Sequence, residues 1–224
     1  MKKSKAHYIA FLGVMVALIF VVLTLETYVF MGMLGINPAF LSLPLALALC
    51  LFGTWKEEFV GGTIFGLCSM LIAVMVGYPA MINPLVSVVP RIFMGIAAYW
   101  TYHLISFIVS GILNAREKKG KLPLGKKANV MLRETIPAAV GGVVGALTNT
   151  VLVLLMLWVF GGDAFATAFS VAIVFNSPIE MACCAVLVPL YIRIMKIALK
   201  NSNNLLFQNK IKGEAAQTVS QSEK

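Results

Sequence analysis

The stretch NAREKKGKLPLGKKANVMLRE, residues 114–134, decides how this chain folds. It carries Arg116, Lys118, Lys119, Lys121, Lys126 and Lys127, with Arg133 at its edge, and it runs into a long apolar segment on either side. An apolar run of about 20 residues crosses the hydrocarbon core of a bilayer as a helix. Connections rich in Lys and Arg stay on the cytoplasmic side. The segment therefore reads as an inner loop between two membrane spans.

Working outward from this loop, six spans fall at about 8–30, 38–54, 59–77, 85–113, 134–160 and a last one ending near 199. Lys2, Lys3 and Lys5 precede the first span, Lys56 lies in the second connection, and Arg193, Lys196, Lys200, Lys210, Lys212 and Lys224 end the chain. The first, third and fifth connections contain no basic residue. Both termini are accordingly expected in the cytoplasm, which requires an even number of spans. The apolar stretch after the basic N-terminus is longer than the about 7–15 residues of a signal peptide, so it is read as a retained span. The predicted fold is an all-α, polytopic six-helix membrane domain over residues 1–200, followed by a polar, flexible cytoplasmic tail over 201–224.

Composition agrees: 60% of the 224 residues are hydrophobic and 12% charged, against about 25% charged in a soluble domain. The net charge of +9 resides in the inner loops, so it indicates a membrane surface and not nucleic acid. Cys50, Cys68, Cys183 and Cys184 lie within apolar runs and are read as small core residues. No metal site is expected, because His7 and His103 are isolated from each other and from any CxxC pair. Without a phosphate-binding glycine loop the chain does not hydrolyse ATP itself.

Arg91, in NPLVSVVPRIFMG (83–95), is the one basic residue of 18 that lies toward the outer side. Helical spacing places Ser87, Gly95, Ala98 and Tyr102 on its face. Two readings are open: an arginine snorkelling to the outer headgroups, or a cation facing a cavity or neighbouring helix. In span five Ala138, Gly142, Gly145 and Asn149 follow at spacings of four, three and four. Small residues at such intervals let helices approach closely, and the stripe leads to an asparagine flanked by Thr148 and Thr150. These polar groups either bond neighbouring helices or face a ligand. In NSPIEMACCAVLVPLYIRIM (176–195), Ser177, Pro178 and Glu180 read as an N-cap, first-turn proline and capping box. That places Asn176 and Glu180 at a depth similar to Asn149.

Topology together with NPLVSVVPRIFMGI, GALTNTVLVL and NSPIEMACCAVLVPLYIRIM resembles the substrate-binding S components of energy-coupling factor (ECF) vitamin transporters over residues 6–199. Pro90-Arg91 followed by ALTNT is most similar to the pantothenate-specific member. The resemblance implies a non-catalytic subunit that uses no cofactor and binds a vitamin from outside. It further implies docking on a membrane coupling subunit with two cytosolic ATPases, and toppling in the bilayer to deliver the ligand. A carboxylate of pantothenate would partner Arg91, with Asn149, Thr148, Asn176, Glu180, Asn83 and Ser87 as the remaining candidate substrate-binding residues. Glu180 either pairs with Arg91, accepts from a ligand hydroxyl or serves the helix cap. The family docks through an AxxxA pattern on the first span; here Ala10, Gly13 and Ala17 supply a small stripe, while Val14 departs from the pattern. Alternatives are an S component for folate or riboflavin, a stand-alone proton- or ion-coupled secondary transporter, and a structural membrane assembly protein.

Overall fold

The structure, a computed structural model, describes residues 5–34, 39–52, 55–118, 126–160 and 176–198. Among these the order is α1 (Lys5–Leu34), α2 (Ser42–Phe52), α3 (Trp55–Val76), α4 (Pro79–Ile82), α5 (Pro84–Ser87), α6 (Val89–Lys118) and α7 (Lys126–Phe160), with α8 (Ser177–Ala198) last. The described residues form an all-α polytopic membrane protein. Five helices are long and apolar enough to cross a bilayer. The tail expected at 201–224 lies outside the described residues, as do most of the fifth connection and residues 119–125 of the basic inner loop.

The second span differs from expectation. Its helix has 11 residues, about 16 Å at 1.5 Å per residue, well short of a hydrocarbon core of about 30 Å. Residues Ser42–Leu51 are all buried, so the segment is apolar on every side because every side meets protein. α1, α3, α6 and α7 surround it. Its Leu43, Leu47 and Leu49 join Ile19, Phe65, Met94, Ala98 and Val188 in one core.

The fourth span is not one helix either. Asn83 caps α5 by accepting a 3.0 Å hydrogen bond from Leu85 N–H, Pro84 takes the first helical position, and Val88 closes the turn. Pro90 then occupies the start of α6, where a missing N–H costs nothing. Arg91 thus stands in the first turn of α6.

Close contacts between backbones hold the long helices in register. A Cβ at Gly142 would come within 2.9 Å of Val188 Cγ2 and 3.0 Å of the Cys184 carbonyl; one at Gly145 would meet Leu47 and Ala98. The small stripe therefore packs α7 against α8, α2 and α6. At the end of the bundle that carries Arg133 and Arg193, polar side chains tie the same helices together. Arg193 donates to Thr135 Oγ1 at 2.8 Å, Arg133 to Asn114 Oδ1 at 2.6 Å, and Lys196 pairs with Glu134 at 3.0 Å.

Candidate functional site

Arg91 is 6% exposed, which removes the snorkelling reading: the guanidinium points into the bundle. Its Nη1 donates to the carbonyls of Val86 and Ser87, both at 2.9 Å, and Nη2 donates to Ser69 Oγ at 3.3 Å. The carbonyls belong to the C-terminal end of α5, where a cation complements the exposed helix carbonyls. Phe65 lies beneath the guanidinium with its ring centroid 5.9 Å away. Three of five N–H groups are occupied in this way. Among the described residues Nε is buried without a hydrogen-bond partner, leaving one edge of the planar fork for an acceptor.

The small stripe of α7 delivers Asn149 to the same part of the bundle. Gly145 faces Ala98 on α6, and Asn149 is one turn further toward the outside while Arg91 lies about two turns outward of Ala98. Asn149 is 8% exposed and its Oδ1 is buried without a partner among the described residues. On α8 the same progression from Cys184, which meets Gly142, leads outward to Glu180 and then Asn176. Asn176 Oδ1 is likewise buried without a partner among the described residues. Buried polar atoms are nearly always hydrogen-bonded; among the described residues four side-chain atoms are not, Ser42 Oγ on α2 together with Arg91 Nε, Asn149 Oδ1 and Asn176 Oδ1.

Glu180 is buried, and its Oε1 accepts a 3.1 Å hydrogen bond from the backbone N–H of Ala39. That bond crosses to the connection before α2, so the carboxylate reaches beyond its own helix cap. Glu180 and Arg91 interact electrostatically without a direct hydrogen bond among the described residues.

Other candidates sit differently. Thr148 Oγ1 donates to Val144 O at 2.8 Å, so its hydroxyl is spent within α7. Ser87 is buried with its hydroxyl donating to Met81 O, and Asn83 spends Oδ1 on the α5 cap. These two shape the turn that carries Arg91. Ala10, Gly13 and Ala17 are exposed along α1, and no atom approaches within 4 Å of a Cβ built at Gly13.

Glu26 was not among the expected residues, nor were Ser69 and Phe65. Glu26 is 4% exposed, and its carboxylate accepts from the backbone N–H groups of Leu41 and Ser42. A lone acid within an apolar span carries the same signal as Arg91, and it stood in the sequence at LTLETYVF. Among the described residues no three His, Cys, Asp or Glu side chains gather as metal ligands.

A family model described as the ECF transporter substrate-specific component matches residues 7–192. No curated protein and no solved structure matches the chain.

Proposed function

Because the chain belongs to the ECF transporter substrate-specific component family, we propose that it binds an anionic vitamin, pantothenate, with Arg91 holding the carboxylate. Membership makes it a substrate-binding membrane subunit that works with a membrane coupling subunit and ATPases. The ligand is our own reading, carried by one observation. Among the described residues, Arg91 Nε, Asn149 Oδ1 and Asn176 Oδ1 are buried without hydrogen-bond partners, on α6, on α7 and just before α8.

That set asks for an acceptor at the guanidinium and donors at the two amides. Pantothenate offers a carboxylate, hydroxyls and an amide N–H. A carboxylate bridging the free edge of the guanidinium would make charge-assisted hydrogen bonds. One cation and two asparagines suit this ligand better than folate, which would call for a second cation, or a flavin, which would call for aromatic stacking. Docking on the coupling subunit is assigned to α1 through Ala10, Gly13 and Ala17, whose small exposed side chains permit close helix approach.

Calorimetric titration of the full chain in lipid nanodiscs tests the ligand and Arg91 together. Truncating one partner of a buried charge pair costs about 2–5 kcal/mol, so Arg91→Ala should weaken pantothenate binding roughly thirtyfold or more. Arg91→Lys should recover part of the loss, since an ammonium lacks the planar fork. A pantothenate analogue reduced to the alcohol should bind the native chain poorly and lose little more on Arg91→Ala. Additive losses would separate Arg91 from the carboxylate.

A further inference from the structure

Glu180 shares its surroundings with charges from two other helices. It interacts electrostatically with Arg91 on α6 and Glu26 on α1, and all three are at least nine-tenths buried. On its own helix Cys183 and Cys184 face it. The outward part of α7 from Pro137 to Phe160 contains no titratable side chain, and α2 contributes only Cys50 at its far end. With thiols neutral at ordinary pH, the cluster holds two carboxylates and one guanidinium. A monoanionic ligand would bring it to three negative charges against one positive, and unbalanced buried charge is costly.

Resting on the pantothenate reading, we infer that the anion enters with one proton from the outer aqueous side, and that Glu180 carries it as a neutral carboxyl in the complex. The hydrogen bonding of the two acids distinguishes them. Glu26 commits both oxygens as acceptors to Leu41 and Ser42 N–H, and a proton on either would weaken one of these bonds, because a protonated carboxyl oxygen is the poorer acceptor. Glu180 commits Oε1 to Ala39 N–H. A proton on Oε2 creates a donor in a region with unpartnered acceptors at Asn149 and Asn176, and Asn176 precedes Glu180 by one helical turn on the same face. Protonation therefore removes a charge and supplies a donor that the site lacks.

The test is titration of pantothenate into the full chain in nanodiscs, repeated in buffers of different ionisation enthalpy between about pH 6 and 9. The dependence of the observed heat on buffer enthalpy gives the number of protons exchanged. Uptake should approach about one proton somewhere in that range, and Kd should rise up to about tenfold per pH unit where it does. Glu180→Gln, with a permanently neutral side chain, should bind without uptake and with Kd flat in pH, while Glu26→Gln should keep the uptake. Binding with no uptake at any pH overturns the inference and leaves the pantothenate reading standing. Uptake that survives Glu180→Gln but vanishes in Glu26→Gln moves the proton to the other acid and also overturns it. If folded native chain gives no binding at all, the pantothenate reading fails and this inference falls with it.

Discussion

The carboxylate of Glu26 on α1 accepts a 3.2 Å hydrogen bond from the backbone N–H of Ser42, the first residue of α2. It accepts a second from Leu41 N–H, and Glu180 takes Ala39 N–H from the opposite side of the sequence. Two acids on α1 and α8 thus satisfy backbone donors that lead into the buried short helix. A helix start shut away from water needs such partners.

Removing this cap should loosen the centre of the bundle. Glu26→Ala leaves buried N–H groups without acceptors, at about 1–3 kcal/mol for an unsatisfied group. Thermal unfolding of the purified chain in detergent should show a lower Tm, and Glu26→Gln, which keeps one acceptor, should fall between. An unchanged Tm in Glu26→Ala would mean that this bond contributes nothing net.

The contact of α7 with α8 offers a steric test. Gly142→Val places methyl groups where even a Cβ lies 2.9 Å from Val188 and 3.0 Å from the Cys184 carbonyl. Overpacking of this kind costs about 1–3 kcal/mol. It should also part Asn149 from Asn176 and weaken pantothenate binding. Tm and Kd measured together check this, and native values for both would contradict the observed packing.

Neighbouring polar residues on α7 should behave differently. Asn149→Ala removes a buried amide whose Oδ1 has no partner among the described residues, and should weaken binding roughly tenfold, the equivalent of about 1.4 kcal/mol. Thr148→Val removes a hydroxyl already bonded to Val144 O, and Kd should stay within about threefold of native, on the order of 0.6 kcal/mol. The reverse ranking in a titration would place the threonine, and not the asparagine, against the ligand.

On α1 the exposed stripe predicts a separation of binding from transport. Gly13→Leu and Ala17→Leu add bulk to an exposed face where a Cβ at Gly13 meets no atom of the described residues within 4 Å, so Kd for pantothenate should be unchanged. Uptake by the complex reconstituted with its coupling subunit and ATPases should drop, because close helix approach requires small side chains. Normal uptake in both variants would remove α1 from the docking face.

Much of this architecture was legible because membranes penalise charge so heavily. The basic connections marked where long apolar helices begin and end, and Arg91 stood out as a charge within an apolar run. The stripe ending at Asn149 was legible because small residues at helical intervals have few other uses in lipid. Two features escaped. The shortness of α2 was hidden, since an apolar run has the same composition whether lipid or protein surrounds it. The break at 83–90 was written in Asn83-Pro84 and Pro90, but apolar residues between them masked two short turns as continuous span. For Thr148 the residue type was informative while its partner was not: a threonine in a helix can satisfy itself on the carbonyl one turn back.

Gly62 on α3 lies against the main chain of Arg91: a Cβ there would fall 2.2 Å from the Arg91 carbonyl oxygen and 3.0 Å from Ile92 Cα. The base of the arginine is thereby located by backbone touching backbone, independently of which side chains line the rest of the site. Exchanges at 149 or 176 can alter which groups of a solute are recognised without relocating the cation. On the proposed reading, the same scaffold could be retuned for anions of different outline, each measured from one fixed charge, whereas any side chain at position 62 would displace the Arg91 main chain itself.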